Sequence, residues 1–94
     1  MDERPAVWDF YNSKHIEQDH PERAITCREV EEVMNDPQRV STGEEVRDGE
    51  TYFQILGSTK QARLLTVVWV DHKNGRYPVH ARKASRKEAR RYFI

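Results

Sequence analysis

Apolar residues recur with a helical rhythm in the first third of the chain and with an alternating rhythm after it, the change falling near residue 39. Residues 1–7 are polar, broken by Pro5 and read as extended. Asp9 is placed to cap a helix from Phe10 to about Asp19, whose apolar contacts would be Phe10, Tyr11 and Ile16. That stripe is thin, so the helix depends on packing against a sheet. His20-Pro21 stops it, because the residue before proline avoids helical angles. Thr26-x-x-Glu29 reads as a capping box, with Ile25 and Val30 positioned as a hydrophobic staple. Val30, Val33 and Met34 have the spacing of a buried helical stripe, and Asn35-Asp36-Pro37 ends it. Arg28, Glu31 and Glu32 fall on the outer face and read as solvated charges.

Beyond residue 39 the pattern is that of strands. Arg39 to Thr42 is a short strand candidate, and Gly43 to Gly49 reads as a polar, acidic turn. Thr51 to Leu56 alternates, with Phe53 and Ile55 on one face and Tyr52, Gln54 and Leu56 on the other. Gly57-Ser58 opens the next turn. Ala62 to Val70 is the most apolar stretch, as expected of a central strand covered on both faces. Asp71 to Gly75 carries an Asn-Gly hairpin signal. The strand after it, Arg76 to Lys83, contains Pro78, which lacks a ladder N–H, so it belongs at an edge or is bulged there. Ser85-x-x-Glu88 is a second capping box; it places a turn at Ala84-Ser85 and a helix from Arg86 to about Phe93.

Two helices, three or four strands with tight links, then one helix imply antiparallel pairing. The expected fold class is α+β, a twisted antiparallel sheet with the helices packed on one face. The 94 residues suit one domain, 1–94, without internal repeats. Net charge is zero, but the average hides a split. Residues 1–56 hold 14 acidic and 6 basic residues; residues 57–94 hold 10 basic and 2 acidic. A balance of −8 against +8 predicts a dipolar surface whose basic end meets an anionic partner. The plainer alternative is charge complementarity within the molecule. Cys27 is the sole cysteine, so no internal disulfide can form. No apolar run approaches the roughly 18–20 residues of a membrane span, and the acidic N-terminus lacks a secretion signal's basic flank. The expected location is cytoplasmic, with no membrane partner.

Candidate chemistry gathers between Val79 and Tyr92. Arg82, Lys83, Arg86, Lys87, Arg90 and Arg91 are opposed only by Glu88. On the final helix Arg86 and Arg90 lie four apart, as do Lys87 and Arg91, and each like-charged pair costs roughly 0.2–0.5 kcal/mol. An external polyanion is the natural source of the missing negative charge. Strict alternation would put Arg76, His80 and Arg82 on one face of the last strand, with Arg63 in reach from the central strand. Such a groove suits a phosphate backbone, and Tyr77, Tyr92 or Trp69 could stack on bases if exposed. RNA cleavage by 2′-hydroxyl attack needs a base, an acid and cations around the pentavalent phosphorus. Histidine serves proton transfer near neutral pH, lysine can do so among other cations, and arginine clamps phosphate. The plain reading of His15 and His20 is surface histidines. No glycine-rich phosphate loop, nucleophile motif or metal-ligand spacing is present, and no cofactor is expected.

The pattern Trp8-Asp9, His20, Glu29-Val30-Glu31-Glu32-Val33, Asp36-Pro37, Arg63 to Val68, Ala81 to Glu88 and Arg91-Tyr92 resembles the BrnT family of toxins. The C-terminal A-R-K-A-S-R-K-E-x-R-R-Y is its most specific part. The resemblance implies a RelE-like fold and a ribonuclease toxin of a type II toxin–antitoxin pair. It also implies a cognate antitoxin, such as a ribbon-helix-helix dimer, that blocks the active face, with operator DNA bound only through the complex. Carried over residue by residue, it marks Arg63, Arg82, Lys83 and Tyr92, with Arg86 and Arg91 binding phosphate. Asn12, Asp19 and Pro21 depart from the family's usual residues. With the reading from the residues themselves, the expected catalytic set is Arg63, His80, Arg82, Lys83 and Tyr92. The expected RNA-binding set is Arg76, Arg86, Lys87, Arg90 and Arg91. The competing readings are a non-catalytic module binding RNA or an acidic protein, and a DNA-binding regulator acting alone.

Overall fold

The computed structural model describes residues 2–94; Met1, the first residue of the segment read as extended, lies outside them. Helix α1 (Phe10–Glu17) is followed by a 3-10 turn (Pro21–Arg23) and helix α2 (Cys27–Met34). Strands β1 (Val40–Arg47), β2 (Glu50–Ser58), β3 (Leu64–His72) and β4 (Gly75–Lys83) come next, then helix α3 (Arg86–Tyr92). The strands form one antiparallel sheet in the order β1-β2-β3-β4. The chain is therefore α+β, with two N-terminal helices and one C-terminal helix.

All three helices start where the local sequence says they should. Asp9, Thr26 and Ser85 each accept from the N3 backbone N–H, and the N3 side chain bonds back in each case. The core lies between α1, α2 and one sheet face. Val30, Val33 and Met34 are fully buried there against Ile55, Leu65, Val67 and Trp69, and Phe53 stacks on Trp69 with ring centroids 4.4 Å apart. Gly57 makes that contact possible. A Cβ on it would sit 2.9 Å from the Val33 carbonyl oxygen, so only glycine lets α2 lie this close to β2.

Several expectations need correction. Phe10 and Tyr11 do not face the core but are exposed; Asn12 is buried in their place, its amide donating to the carbonyls of Val7 and Pro78 at 2.9 and 3.0 Å. Residues 43–47 are strand rather than turn, so β1 is twice the expected length. It is exposed along most of its length, so burial imposed no apolar alternation on it. The signal that could have found it is Asp48-Gly49. Both residues have positive φ and close a two-residue hairpin loop between Arg47 and Glu50. Gly57 and Ser58 complete β2 instead of opening a turn.

The helices do not all lie on one face. Leu56 and Thr66 pair in the ladder and are buried on the sheet face away from the main core. Glu88 of α3 accepts from the Thr66 hydroxyl there at 3.0 Å, so α3 crosses the second face. No α3 residue is buried, and polar contacts fasten the helix.

Strand β4 is an edge strand and is also bulged. Val68 pairs with His80 and Trp69 with Pro78, which leaves Val79 without a partner. Its first half is covered by the N-terminal segment. Val7 donates to the Arg76 carbonyl at 2.7 Å and Arg76 donates to the Pro5 carbonyl at 2.8 Å.

Candidate functional site

The bulge at Val79 decides which side chains of β4 meet. One extra residue reverses the alternation, so Arg76 and Arg82 fall on opposite faces. Arg76 consequently does not face the open groove expected of it. It is 1% exposed, and its guanidinium donates to the Arg4 carbonyl (2.6 Å), the Met34 carbonyl (2.9 Å) and the Asn35 Oδ1 (3.1 Å). It ties the N-terminal segment to the end of α2.

Beyond the bulge, His80 is half-buried at the edge, beside the end of α1. Its ring centroid lies 6.4 Å from that of His15, and His15 is 5.4 Å from His20 in an edge-on arrangement. Arg23 reaches the same place, donating to the carbonyl of Ala81 at 3.2 Å. Burial, then the positive charges of Arg23, His15, Arg82 and His20, push the His80 imidazole below its ordinary pKa. His15 is held from behind. Its Nδ1 lies 3.2 Å from Asp19, whose other oxygen accepts from Lys14 at 2.6 Å. His20 Nδ1 is 3.5 Å from Glu22. Reading the sequence passes over Arg23 and leaves His15 and His20 as surface histidines. Residues 15 and 80 are brought together by the packing of α1 along the edge of β4, and no spacing along the chain encodes that. Among the described residues, no three His, Cys, Asp or Glu side chains are grouped so as to hold a metal ion.

The loop bearing His20 and Arg23 is fixed by Arg63. This guanidinium donates to the carbonyls of Arg23 (2.6 Å) and Ala24 (2.7 Å) and pairs with Glu29 at 3.1 Å. Ala24 is left-handed, with φ of 51°, a conformation that costs an L-residue roughly 1–2 kcal/mol. Arg63 holds the loop in that shape. Arg63 also lines an open recess of about 490 Å³ with Lys83, Ala84, Ser85, Arg86 and Ala89. The structure thus joins Arg63, Lys83 and Arg86 in one recess and links it to the histidines through Arg23.

Arg82 follows His80 and is held by α3. Its two terminal nitrogens donate to Glu88 at 2.7 and 3.0 Å. That pairing holds the Glu88 carboxyl down at about 2, against the opposing effect of burial; the Ser85 N–H and Thr66 hydroxyl add to it. The fork uses part of the guanidinium's donors and leaves others for a ligand.

Tyr92 lies elsewhere. Its hydroxyl donates to Asp36 at 2.6 Å, and burial together with that bond pushes its pKa up to about 12. It lines a separate recess of about 660 Å³ whose walls include Glu31, Glu32, Asp36, Arg28 and Lys60. From Arg86 to Tyr92 the helix advances about 9 Å. Tyr92 anchors the far end of α3, in a recess that neither Lys83 nor His80 lines. Arg86, Lys87, Arg90 and Arg91 are on that helix, with Arg86, Arg90 and Arg91 exposed and Lys87 exposed beside them.

Among the described residues, no helix is long and apolar enough to cross a membrane. Among curated proteins, none is similar enough to the chain to match. The family model described as "Ribonuclease toxin, BrnT, of type II toxin-antitoxin system" matches residues 8–88. That span takes in α1, α2, the whole sheet and the first residues of α3, and the chain therefore belongs to the BrnT family of ribonuclease toxins, each paired with a cognate antitoxin.

Proposed function

We propose that this protein is an endoribonuclease that inhibits growth by cleaving RNA through 2′-hydroxyl attack, without a metal ion. The observation that carries this reading is the convergence of His80, His15, Arg23 and Arg82 at the bulged end of β4. His80 is kept neutral to lower pH than an ordinary imidazole, which suits it to accept the 2′-hydroxyl proton. Arg82 and Arg23 supply positive charge where the phosphorane forms. Lys83 and Arg86, in the adjoining recess, bind a neighbouring phosphate, and Lys87, Arg90 and Arg91 extend the track along α3. Arg63 acts by holding the loop of His20 and Arg23, and Tyr92 by anchoring α3.

Induced expression without the antitoxin is expected to arrest growth, and Arg82→Ala to relieve the arrest. Purified protein is expected to cut RNA in the presence of a strong chelator, leaving 2′,3′-cyclic phosphate ends. Intact transcripts with salt-sensitive RNA binding would instead favour a second reading, a binding module without catalysis. One observation favours that alternative: Arg63 and Arg82 are already paired with Glu29 and Glu88 inside the molecule. The resemblance further supports an antitoxin of the small DNA-binding type, with operator DNA reached only through the complex. A pull-down of the toxin with the product of its neighbouring gene tests this.

A further inference from the structure

RNA cleavage moves two protons, and the recess around Lys83 offers no second histidine. Among the described residues, the imidazole placed to share a phosphate with His80 is that of His15. The rings are 6.4 Å apart between centroids and inclined by 39°. The two rings are close enough for one phosphoryl group, lying across their outer edges, to be met by a nitrogen of each. His15 is 40% exposed at its side chain, so substrate can reach it. Asp19 engages Nδ1 and so leaves Nε2 as the nitrogen free to meet a ligand. Lys14 in turn holds Asp19.

We propose that His15 is the acid of the cleavage reaction, paired with His80 as base, and that Asp19 is its positioning residue. This rests on the ribonuclease reading above. In the step, the 2′-oxygen forms a bond to phosphorus as its proton passes to His80. The bond from phosphorus to the 5′-oxygen breaks as His15 gives its proton to that oxygen. The products are a 2′,3′-cyclic phosphate and a 5′-hydroxyl, and exchange with water restores both rings. The groups facing this pair are Asp19 and Lys14 on the α1 side, His20, Glu22 and Arg23 in the loop, and Arg82 on β4.

The test compares two short RNAs, one ordinary and one with sulfur in place of the scissile 5′-oxygen. A thiolate leaves without an acid, so only the ordinary substrate needs His15. His15→Ala is expected to lose 10²–10⁴-fold on the oxygen substrate and to stay within about 10-fold of wild type on the sulfur one. His80→Ala is expected to be slow on both, and Asp19→Asn to lose more on oxygen than on sulfur. His15→Gln, which keeps a polar side chain, guards against a folding artefact and is expected to behave like the alanine variant. Wild-type rates for His15→Ala on the oxygen substrate, or equal losses on both, would overturn the assignment. If wild-type protein cleaves neither RNA, the ribonuclease reading fails first and this one falls with it.

Discussion

At the scale of single residues, the chemistry of this protein is set by which arginines are already engaged. Arg76 is the clearest case. Arg76→Ala leaves the carbonyls of Arg4 and Met34 and the Asn35 side chain without their donor, the Met34 carbonyl in a buried position. A loss of about 2–4 kcal/mol of folding stability is expected, measured by urea unfolding, with the salt dependence of RNA binding by the folded fraction unchanged. His80 makes a prediction of opposite kind. Its charged form is disfavoured, so the base form persists as pH falls and is lost only below the ordinary histidine value of 6.5. The acid limb of the cleavage rate is expected to lie below that value and to disappear in His80→Asn. A limb centred above it would contradict the environment described for this ring.

At the scale of elements, α3 and α2 are held by opposite means. Helix α3 depends on polar contacts at Glu88 and Tyr92. The Glu88 carboxyl is depressed to about 2 in the folded state from an ordinary 4.5. Its stabilising contribution is therefore complete above the ordinary value and fades as pH falls toward the folded one. Glu88 is only 16% exposed, but its partner Arg82 is 40% exposed and solvent screens the pair. Hydrogen exchange of α3 amides is expected to quicken across that acid range, by an opening free energy of about 1–2 kcal/mol, and Glu88→Gln to abolish the pH dependence. Helix α2 relies on close packing instead. Gly57→Ala brings a methyl within 2.9 Å of the Val33 carbonyl, against backbone that cannot swing aside. A destabilisation of about 1–3 kcal/mol is expected, read from the thermal midpoint.

At the scale of the whole molecule, the charge split along the chain is only partly a split in space. Three of the ten basic residues after residue 56, Arg63, Arg76 and Arg82, are engaged by internal carboxylates or carbonyls. The exposed cations that remain concentrate at Lys83 and along α3. Replacing Lys87, Arg90 or Arg91 by alanine takes one cation out of the phosphate track. Each such change is expected to reduce the log–log salt slope of single-stranded RNA binding by about 0.7. An unchanged slope in the triple variant would remove α3 from the binding track.

Much of this architecture is local in origin and could be read from residue order. Two capping boxes and the Asp9 cap start three helices, the Val30-Val33-Met34 stripe names the buried face of α2, and the apolar run at Leu64–Val70 becomes an inner strand. The C-terminal basic motif likewise marks its family by sequence alone. What the order of residues leaves open is everything that depends on pairing across the sheet. An unpaired Val79 puts Arg76 and Arg82 on opposite faces, His80 meets His15 where α1 packs along β4, and α3 finds the second face because Thr66 and Arg82 meet Glu88 there. Propensity and capping act over three or four neighbours, so the chain itself determines its elements. The reach of a guanidinium or imidazole across 65 residues depends on register, and only the folded sheet decides that.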